Sequence, residues 1–547
     1  MPLHRALLFC ATAALLAVTL PAHAESGPIV NAPVGTAEGQ AQDGLLVFKG
    51  LPYAQAPAGA VRWKPPRPLL KWQGVRKATE FGPACFQPPT PANNLYSDDP
   101  GPMSEDCLSL NIWTPRHAAK APVFVWIHGG ALNIGASRLS IYDGSRLAQR
   151  GVVVVSINYR MGVLGWLAHP ALSAESPDGI SGNYGLLDQI EALRWVKRNI
   201  AAFGGDPSNV TIAGESAGGL SVMYLMVAPA ARGLFHKAIT ESAYMISTPT
   251  LKQDRFGHPS AESAGVDIMK KLGAADIGQL RAMDPGKLTN AAAGGGFAPF
   301  GAVDGKVLPS QIVEAFDRGK QARVPLLAGF NSGEIRSLRS LAPPVPASAS
   351  AYESVIRGRY GDLADAFLKQ YPSSNLEESI LATTRDALYG WTAERLAIKQ
   401  TALGAPAYLY FFDHGYPAMD DAGLHGFHAS ELPFVFGTMD RLSPNWPKPP
   451  ATHQEAALSD AMIGYWTSFA RTGEPRAAGA PDWRAYGSEG AYMAFRATPQ
   501  MSEALLPGMY PLVEQVVCRR RAAGSQQWNW NVGLASPPTP PPTPTCP

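Results

Sequence analysis

Charge is scarce in this chain. Lys, Arg, Asp and Glu make up 16% of its 547 residues, against roughly 25% in ordinary soluble domains, and 46 basic and 44 acidic side chains nearly cancel to a formal charge of +2. With 46% of residues apolar, the chain has neither the charge excess of a disordered segment nor the basic field that nucleic-acid binding requires. It shows no steering toward a strongly charged ligand either. Cysteine is rare, five in all, and no His/Cys pattern has metal-ligand spacing. EF-hand loops are absent, and Gly294-Gly295-Gly296 lacks the Lys-Ser/Thr that would follow in a phosphate loop. Neither a metal nor an organic cofactor is expected. Beyond the N-terminus no segment reaches the roughly 18 consecutive apolar residues of a membrane span, and no internal repeat is present.

Gly and Pro, by contrast, are abundant. The 54 Gly and 50 Pro form about a fifth of the chain, where about 12% is usual, which points to many tight turns and ordered loops rather than a helical bundle. Residues 1–24 have the form of a secretory signal. His4 and Arg5 precede an apolar run from Ala6 to Leu20, and Ala22-His23-Ala24 offers an A-x-A cleavage site. Cleavage near Ala24 would give an exported, soluble chain, periplasmic or extracellular, beginning at Glu25. Export permits disulfides, and losing Cys10 leaves Cys85, Cys107, Cys518 and Cys546, which allow three pairings. Cys85 with Cys107 is favoured, closing a Pro/Asn/Asp-rich loop that burial alone would not order; Cys518 with Cys546 would then tie down the Pro/Thr-rich tail of residues 536–547, expected to be extended in polyproline II form.

From Val123 onward, short apolar runs alternate with helical patterns. Val123–Ile127 and Val152–Ile157 are apolar on both faces, as central strands of a parallel sheet are. Leu186–Ala201 has helical spacing; Asn209–Ala213, Ala238–Thr240 and Val324–Gly329 are further strand candidates. This alternation predicts an α/β fold with a mostly parallel, doubly wound sheet. Residues of about 250–320 and 335–410 are expected to be mainly helical insertions covering the sheet. One domain over residues 25–535 is expected, not the several that length alone suggests.

Gly214-Glu215-Ser216-Ala217-Gly218 fits G-x-S-x-G between a strand and a helix. A serine on so sharp a turn needs glycine two residues to either side, because its backbone is strained and the flanking chains approach closely. The turn lifts the hydroxyl to the carboxyl edge of the sheet, at a helix N-terminus whose amides attract an oxyanion. His128-Gly129-Gly130-Ala131, after the strand Val123–Ile127, matches a turn that donates oxyanion-hole amides, with the amide of Ala217 as the other half. His128 itself is expected to hold the loop and not to act as base.

Together these segments resemble the type-B carboxylesterase family of the α/β-hydrolase fold, which includes cholinesterases and many bacterial esterases. Phe48-Lys49-Gly50-Leu51-Pro52-Tyr53-Ala54, Ser104-Glu105-Asp106-Cys107-Leu108, Asn158-Tyr159-Arg160, Gly182 to Gln189 and Phe203-Gly204-Gly205-Asp206-Pro207 are all similar to its segments. The resemblance implies a serine carboxylic-ester hydrolase working through an acyl-enzyme, with Ser216 as nucleophile and Glu334, in Gly329-Phe330-Asn331-Ser332-Gly333-Glu334, as the triad acid. His428, in His428-Ala429-Ser430-Glu431-Leu432, is the favoured base over His425, which becomes a candidate pocket-lining residue. His414, His453 and His258 have no such context and read as surface or loop residues. Gly130, Ala131 and Ala217 would form the oxyanion hole, Ala131 standing where the family has a third glycine. Ser242 matches a serine that hydrogen-bonds the acid, and Glu215 a buried acidic supporting residue before the nucleophile. The family's cysteine matching Cys107 pairs with the one matching Cys85. An amidase or a lipase would use the same triad. Relatives that serve as adhesion or binding modules usually lack one of its members, and all three stand here. The partner implied is a small uncharged or weakly charged ester. Trp166, Tyr244, Phe297, Phe300, Trp391 and Phe427 are candidates for its pocket, with core packing the default for each.

Overall fold

The computed structural model describes residues 27–529 and 533–546; the signal expected over residues 1–24 lies outside them. Among the described residues an eleven-stranded sheet runs, edge to edge, through Pro499–Glu503, Ala491–Phe495, Ala407–Phe412, Leu326–Asn331, Lys237–Glu241, Gly205–Glu215, Ala121–Ile127, Val153–Ile157, Ser109–Pro115, Leu45–Pro52 and Gln40–Gln42. The strands from Ala491–Phe495 to Val153–Ile157 pair in parallel, and both edges are antiparallel. A second sheet of Ile29–Ala32, Gly35–Glu38 and Val75–Lys77 stands apart.

The central strands are apolar on both faces because both faces are covered. Val123, Val125 and Ile127 pack with Ile190, Leu193, Val196 and Met223, from the helices Tyr184–Asn199 and Ala217–Val227. Phe124 and Trp126, on the opposite face, join Leu458, Met462, Trp466 and Phe469 of the helix His453–Thr472. Each fully buried Val, Leu, Ile or Phe contributes about 1.5–3 kcal/mol, more than the roughly 1 kcal/mol of a typical net hydrogen bond. The sheet is therefore a firm base for the loops above it.

Those loops gather where the strand order reverses. The chain leaves Ala121–Ile127 for Val153–Ile157 on one side, then crosses to Gly205–Glu215 on the other. The carboxyl ends flanking such a reversal open a crevice, the usual ligand position in doubly wound sheets.

Two expectations need correction. Ala407–Phe412 overlaps the end of the stretch of about 335–410 expected to be mainly helical, yet it is a fully buried parallel strand; its aromatic run packs on both faces, which overrides the helical pattern before it. The helix expected over Leu186–Ala201 spans Tyr184–Asn199 and tightens into a 3-10 turn over Ile200–Phe203. Cys85 is bonded to Cys107 and Cys518 to Cys546, with Cα separations of 5.0 and 5.7 Å. No helix of the described residues is long and apolar enough to cross a membrane.

Candidate active site

The strand Gly205–Glu215 ends in a turn at Ser216, whose φ of 55° and ψ of −119° are unusual for a residue with a side chain. Its surroundings enforce that geometry. The Ser216 amide donates to the Glu241 carbonyl at 2.9 Å, and the Ser216 carbonyl accepts from Leu220 at 2.9 Å. A Cβ on Gly218 would lie 2.1 Å from the Ile127 oxygen, and one on Gly214 2.5 Å from the Gly218 carbonyl carbon, so only glycine lets these chains pass. Ser216 is half-buried, and its hydroxyl has no hydrogen-bond partner among the described residues.

The His128–Ala131 turn lies against this elbow: a Cβ on Gly129 would meet the Ser216 Cβ at 3.2 Å. Gly130, Ala131 and Leu132 have φ of 99°, 55° and 57°. No acceptor among the described residues takes the amides of Gly130 or Ala131; that of Ala217, at the first position of its helix, has no partner within the helix. These are the three donors expected of an oxyanion hole. His128 is buried, contacts the Gly129 oxygen through Nδ1 at 2.9 Å and stacks on Tyr159 with ring centres 4.6 Å apart. Burial lowers its pKa to about 4, so it is neutral near pH 7. As expected, it holds the loop.

Glu334 follows the strand Leu326–Asn331 and is fully buried. Its Oε1 accepts from the Asn331 amide at 2.8 Å, and its Oε2 is bonded to His428 Nδ1. The Gly333 amide donates to the Gly426 carbonyl at 2.7 Å, and Asn331 Nδ2 donates to the Phe427 carbonyl at 2.8 Å. The acid turn and the histidine segment are thus joined by one backbone bond and one bond from the Asn331 side chain, the latter between residues 96 apart. On the other side of the imidazole, His428 Nε2 lies 3.0 Å from Glu215 Oε1. Burial alone would depress the His428 pKa, but the carboxylates of Glu215 and Glu334 outweigh it and raise the value to about 9. Glu215 is itself raised, by burial first and then by Glu334, against the lowering pull of His428.

Two more carboxyls complete a buried acidic cluster that motif reading did not single out. Glu241 accepts from Trp466 Nε1 at 2.8 Å, and burial pushes its pKa up to about 8. Glu431 accepts from Asn331 Nδ2 at 2.5 Å and is likewise raised well above the carboxylate range by burial, with Glu215, Glu241 and Glu334 adding to the shift. The signal for Glu431 and Asn331 was inside the H-x-x-E and G-x-N-x-x-E patterns already used.

Three expectations differ from what is found. Ser242 does not bond Glu334: both carboxylate oxygens of the acid are engaged elsewhere, and Ser242 Oγ is buried without a partner among the described residues. His425 does not line a pocket beside the serine. It is partly exposed and held between Asp420, at 2.8 Å from Nδ1, and Asp413, at 3.3 Å from Nε2. His414 lies in a loop, one of the two placements expected, but is buried and not on the surface, with Nε2 2.7 Å from Glu455. Of the aromatic candidates, Trp166, Trp391 and Phe427 are core residues, whereas Tyr244, Phe297 and Phe300 are only partly buried. Beside the histidine stand Tyr389, ring centres 5.2 Å apart, and Tyr96, at 6.5 Å.

The carboxylesterase family model matches residues 26–510. A para-nitrobenzyl esterase of Bacillus subtilis is 37% identical, covering 84% of this chain and 93% of its own. A fumonisin B1 esterase of Sphingopyxis macrogoltabida is 35% identical, covering 86% and 87%. Among solved structures, a thermophilic para-nitrobenzyl esterase superimposes with a TM-score of 0.76 at 34% identity, over 88% of this chain and 99% of its own. A Geobacillus stearothermophilus carboxylesterase gives 0.73 at 34% identity, with the same coverage.

Proposed function

This chain belongs to the carboxylesterase family and is a type-B carboxylic ester hydrolase of the α/β-hydrolase fold, and from that premise we propose that the reaction runs through Ser216 as nucleophile, His428 as base and Glu334 as the acid that orients it. The observation that carries this reading is the imidazole of His428, bonded at Nδ1 to buried Glu334 and with Nε2 3.0 Å from Glu215, the residue directly before the strained turn at Ser216. Unprotonated at Nε2, His428 takes the Ser216 proton as Oγ attacks the ester carbonyl. The amides of Gly130, Ala131 and Ala217 hold the oxyanion. The carbonyl–alkoxy bond breaks, and the alcohol leaves with the proton from His428. Water, deprotonated by the same nitrogen, then attacks the acyl-enzyme and releases the acid and Ser216.

His428 Nε2 and Glu215 Oε1 lie 3.0 Å apart, and Nε2 must be free of a proton before it can receive the one from Ser216. Glu215 is therefore a supporting group that sets the protonation of the base, and Ser242 does not bond the acid.

The substrate proposed is a small uncharged or weakly charged ester. Tyr96, Tyr244 and Tyr389 give the surroundings of the histidine an aromatic character. Residues 25–535 are read as one hydrolase domain, residues 536–547 as its tail, and the protein as exported; the two disulfides support an oxidising location. Protein recovered from the periplasm or medium should begin at Glu25 on N-terminal sequencing. Ser216→Ala should abolish hydrolysis of short p-nitrophenyl esters while circular dichroism and melting temperature stay those of the parent. Hydrolysis retained in that variant would refute the assignment.

A further inference from the structure

Residues 90–97 belong to the loop closed by Cys85 and Cys107, and they are docked onto the chain that follows the base. Ser443 Oγ donates to the Leu95 carbonyl at 2.7 Å, and Asn445 Nδ2 donates to the carbonyls of Ala92 and Asn94 at 2.7 and 2.8 Å. The Tyr96 amide donates to Asn94 Oδ1 at 2.8 Å, and its ring meets Trp446 edge-on at 6.0 Å. Disulfide, dock and ring contact together aim the phenol at one place.

There its oxygen lies 2.9 Å from the carbonyl oxygen of His428 and 2.7 Å from Ser337 Oγ. The single phenol proton is spent between the His428 carbonyl and Ser337 Oγ, and the Ser337 hydroxyl in turn donates to the Glu334 carbonyl at 3.4 Å. Ser337 sits three residues after Glu334, at the end of the 3-10 turn Glu334–Arg336. One side chain from a third segment thus joins the turn carrying the acid to the segment carrying the base. The contact is to backbone and hydroxyl, and it uses up the phenol proton, so Tyr96 has no donor left for an ester.

We infer that Tyr96 is a positioning residue: through Ser337 and the His428 carbonyl it fixes Glu334 and His428 at the separation their hydrogen bond needs, and the disulfide loop exists to deliver it. This rests on Glu334 and His428 being the acid and base proposed above.

Tyr96→Phe keeps the ring contacts and removes the hydroxyl alone. Loss of one such hydrogen bond should lower kcat about five- to tenfold and leave KM within about twofold for esters of differing acyl and alcohol size. Slackening the Glu334 contact also removes part of what favours the imidazolium, so the acid limb of the pH–kcat profile should move to lower pH. Ser337→Ala should shift the same limb in the same direction with a smaller loss of kcat, and the double variant should be no worse than Tyr96→Phe. A change in KM with kcat intact would make Tyr96 a substrate contact. A fall in melting temperature with kcat and the pH profile unchanged would make it merely structural. Either result, or parent-like behaviour, overturns the inference. If Tyr96→Phe does not fold, the Ser337→Ala profile decides: an unmoved acid limb sinks it. Ser216→Ala and His428→Ala run alongside, since activity surviving there would fault the triad, whereas inactivity there with parent-like Tyr96→Phe would fault only the role of Tyr96.

Discussion

His428 Nε2 lies 3.0 Å from Glu215 Oε1, so the atom that should take a proton from Ser216 is in contact with the carboxyl of the residue beside it. The two flanking carboxylates stabilise the imidazolium, so His428 as the proposed base would act only once it has lost that proton.

The acid limb of kcat/KM should therefore lie above the ordinary imidazole value of about 6.5, toward the pKa of about 9 to which the two carboxylates raise His428. Glu215→Gln removes one of the two charges that raise that value and keeps a side chain of the same shape. The limb should move to lower pH, by about a unit or more, with activity at acidic pH rising relative to the parent. Rate profiles on a p-nitrophenyl ester between pH 5 and pH 10 measure this; a limb that stays in place would mean that Glu215 does not govern the base.

Glu241 bears on stability rather than rate. Its folded-state pKa is raised by burial to about 8, above the unfolded value of about 4.3. The folded state thus holds its proton more tightly, and the stability this contributes is complete below the unfolded pKa and is lost as pH rises through the folded one. Gln at this position cannot ionise, and its amide oxygen can still accept from Trp466 Nε1. The melting temperature of Glu241→Gln should exceed that of the parent increasingly from about pH 5 to pH 8 and then level off. Parallel melting curves across that range would contradict it.

Ala131 carries a Cβ at φ 55° in the turn that offers oxyanion amides. Ala131→Gly removes both the strain and the methyl group. Stability should change by less than about 1 kcal/mol, because the relief of strain is offset by the greater freedom of glycine in the unfolded chain. Hydrolysis of branched-acyl esters should rise relative to acetates, read as the ratio of kcat/KM values. An unchanged ratio would place the acyl group away from this turn.

Much of the site could be read without coordinates because its parts are local. The elbow around Ser216, the turn at Gly130 and Ala131, and the acid at Glu334 each sit directly after an apolar strand, and the constraint that selects them acts over a few residues. The strand Ala407–Phe412 was hidden, because its aromatic run follows a helix and its partners lie far away in sequence. His425 misled for a similar reason: spacing places it three residues from His428, but only the fold reveals Asp413 and Asp420 on either side of it.

The sequence by itself determined the strand–turn–helix geometry at Ser216, the chain order of Ser216, Glu334 and His428 from which the triad is proposed, and the family membership. Such features rest on steric rules for neighbouring residues, which one chain segment satisfies or fails alone. Only the tertiary structure decided what surrounds the imidazole: Glu215 at one nitrogen, Glu334 at the other, Glu241 and Glu431 buried close by, and Tyr96 braced against the His428 carbonyl. These groups come from segments separated by up to 332 residues at the Tyr96–His428 bond. Their effect is electrostatic and depends on distance and burial, quantities that exist only once the chain has packed.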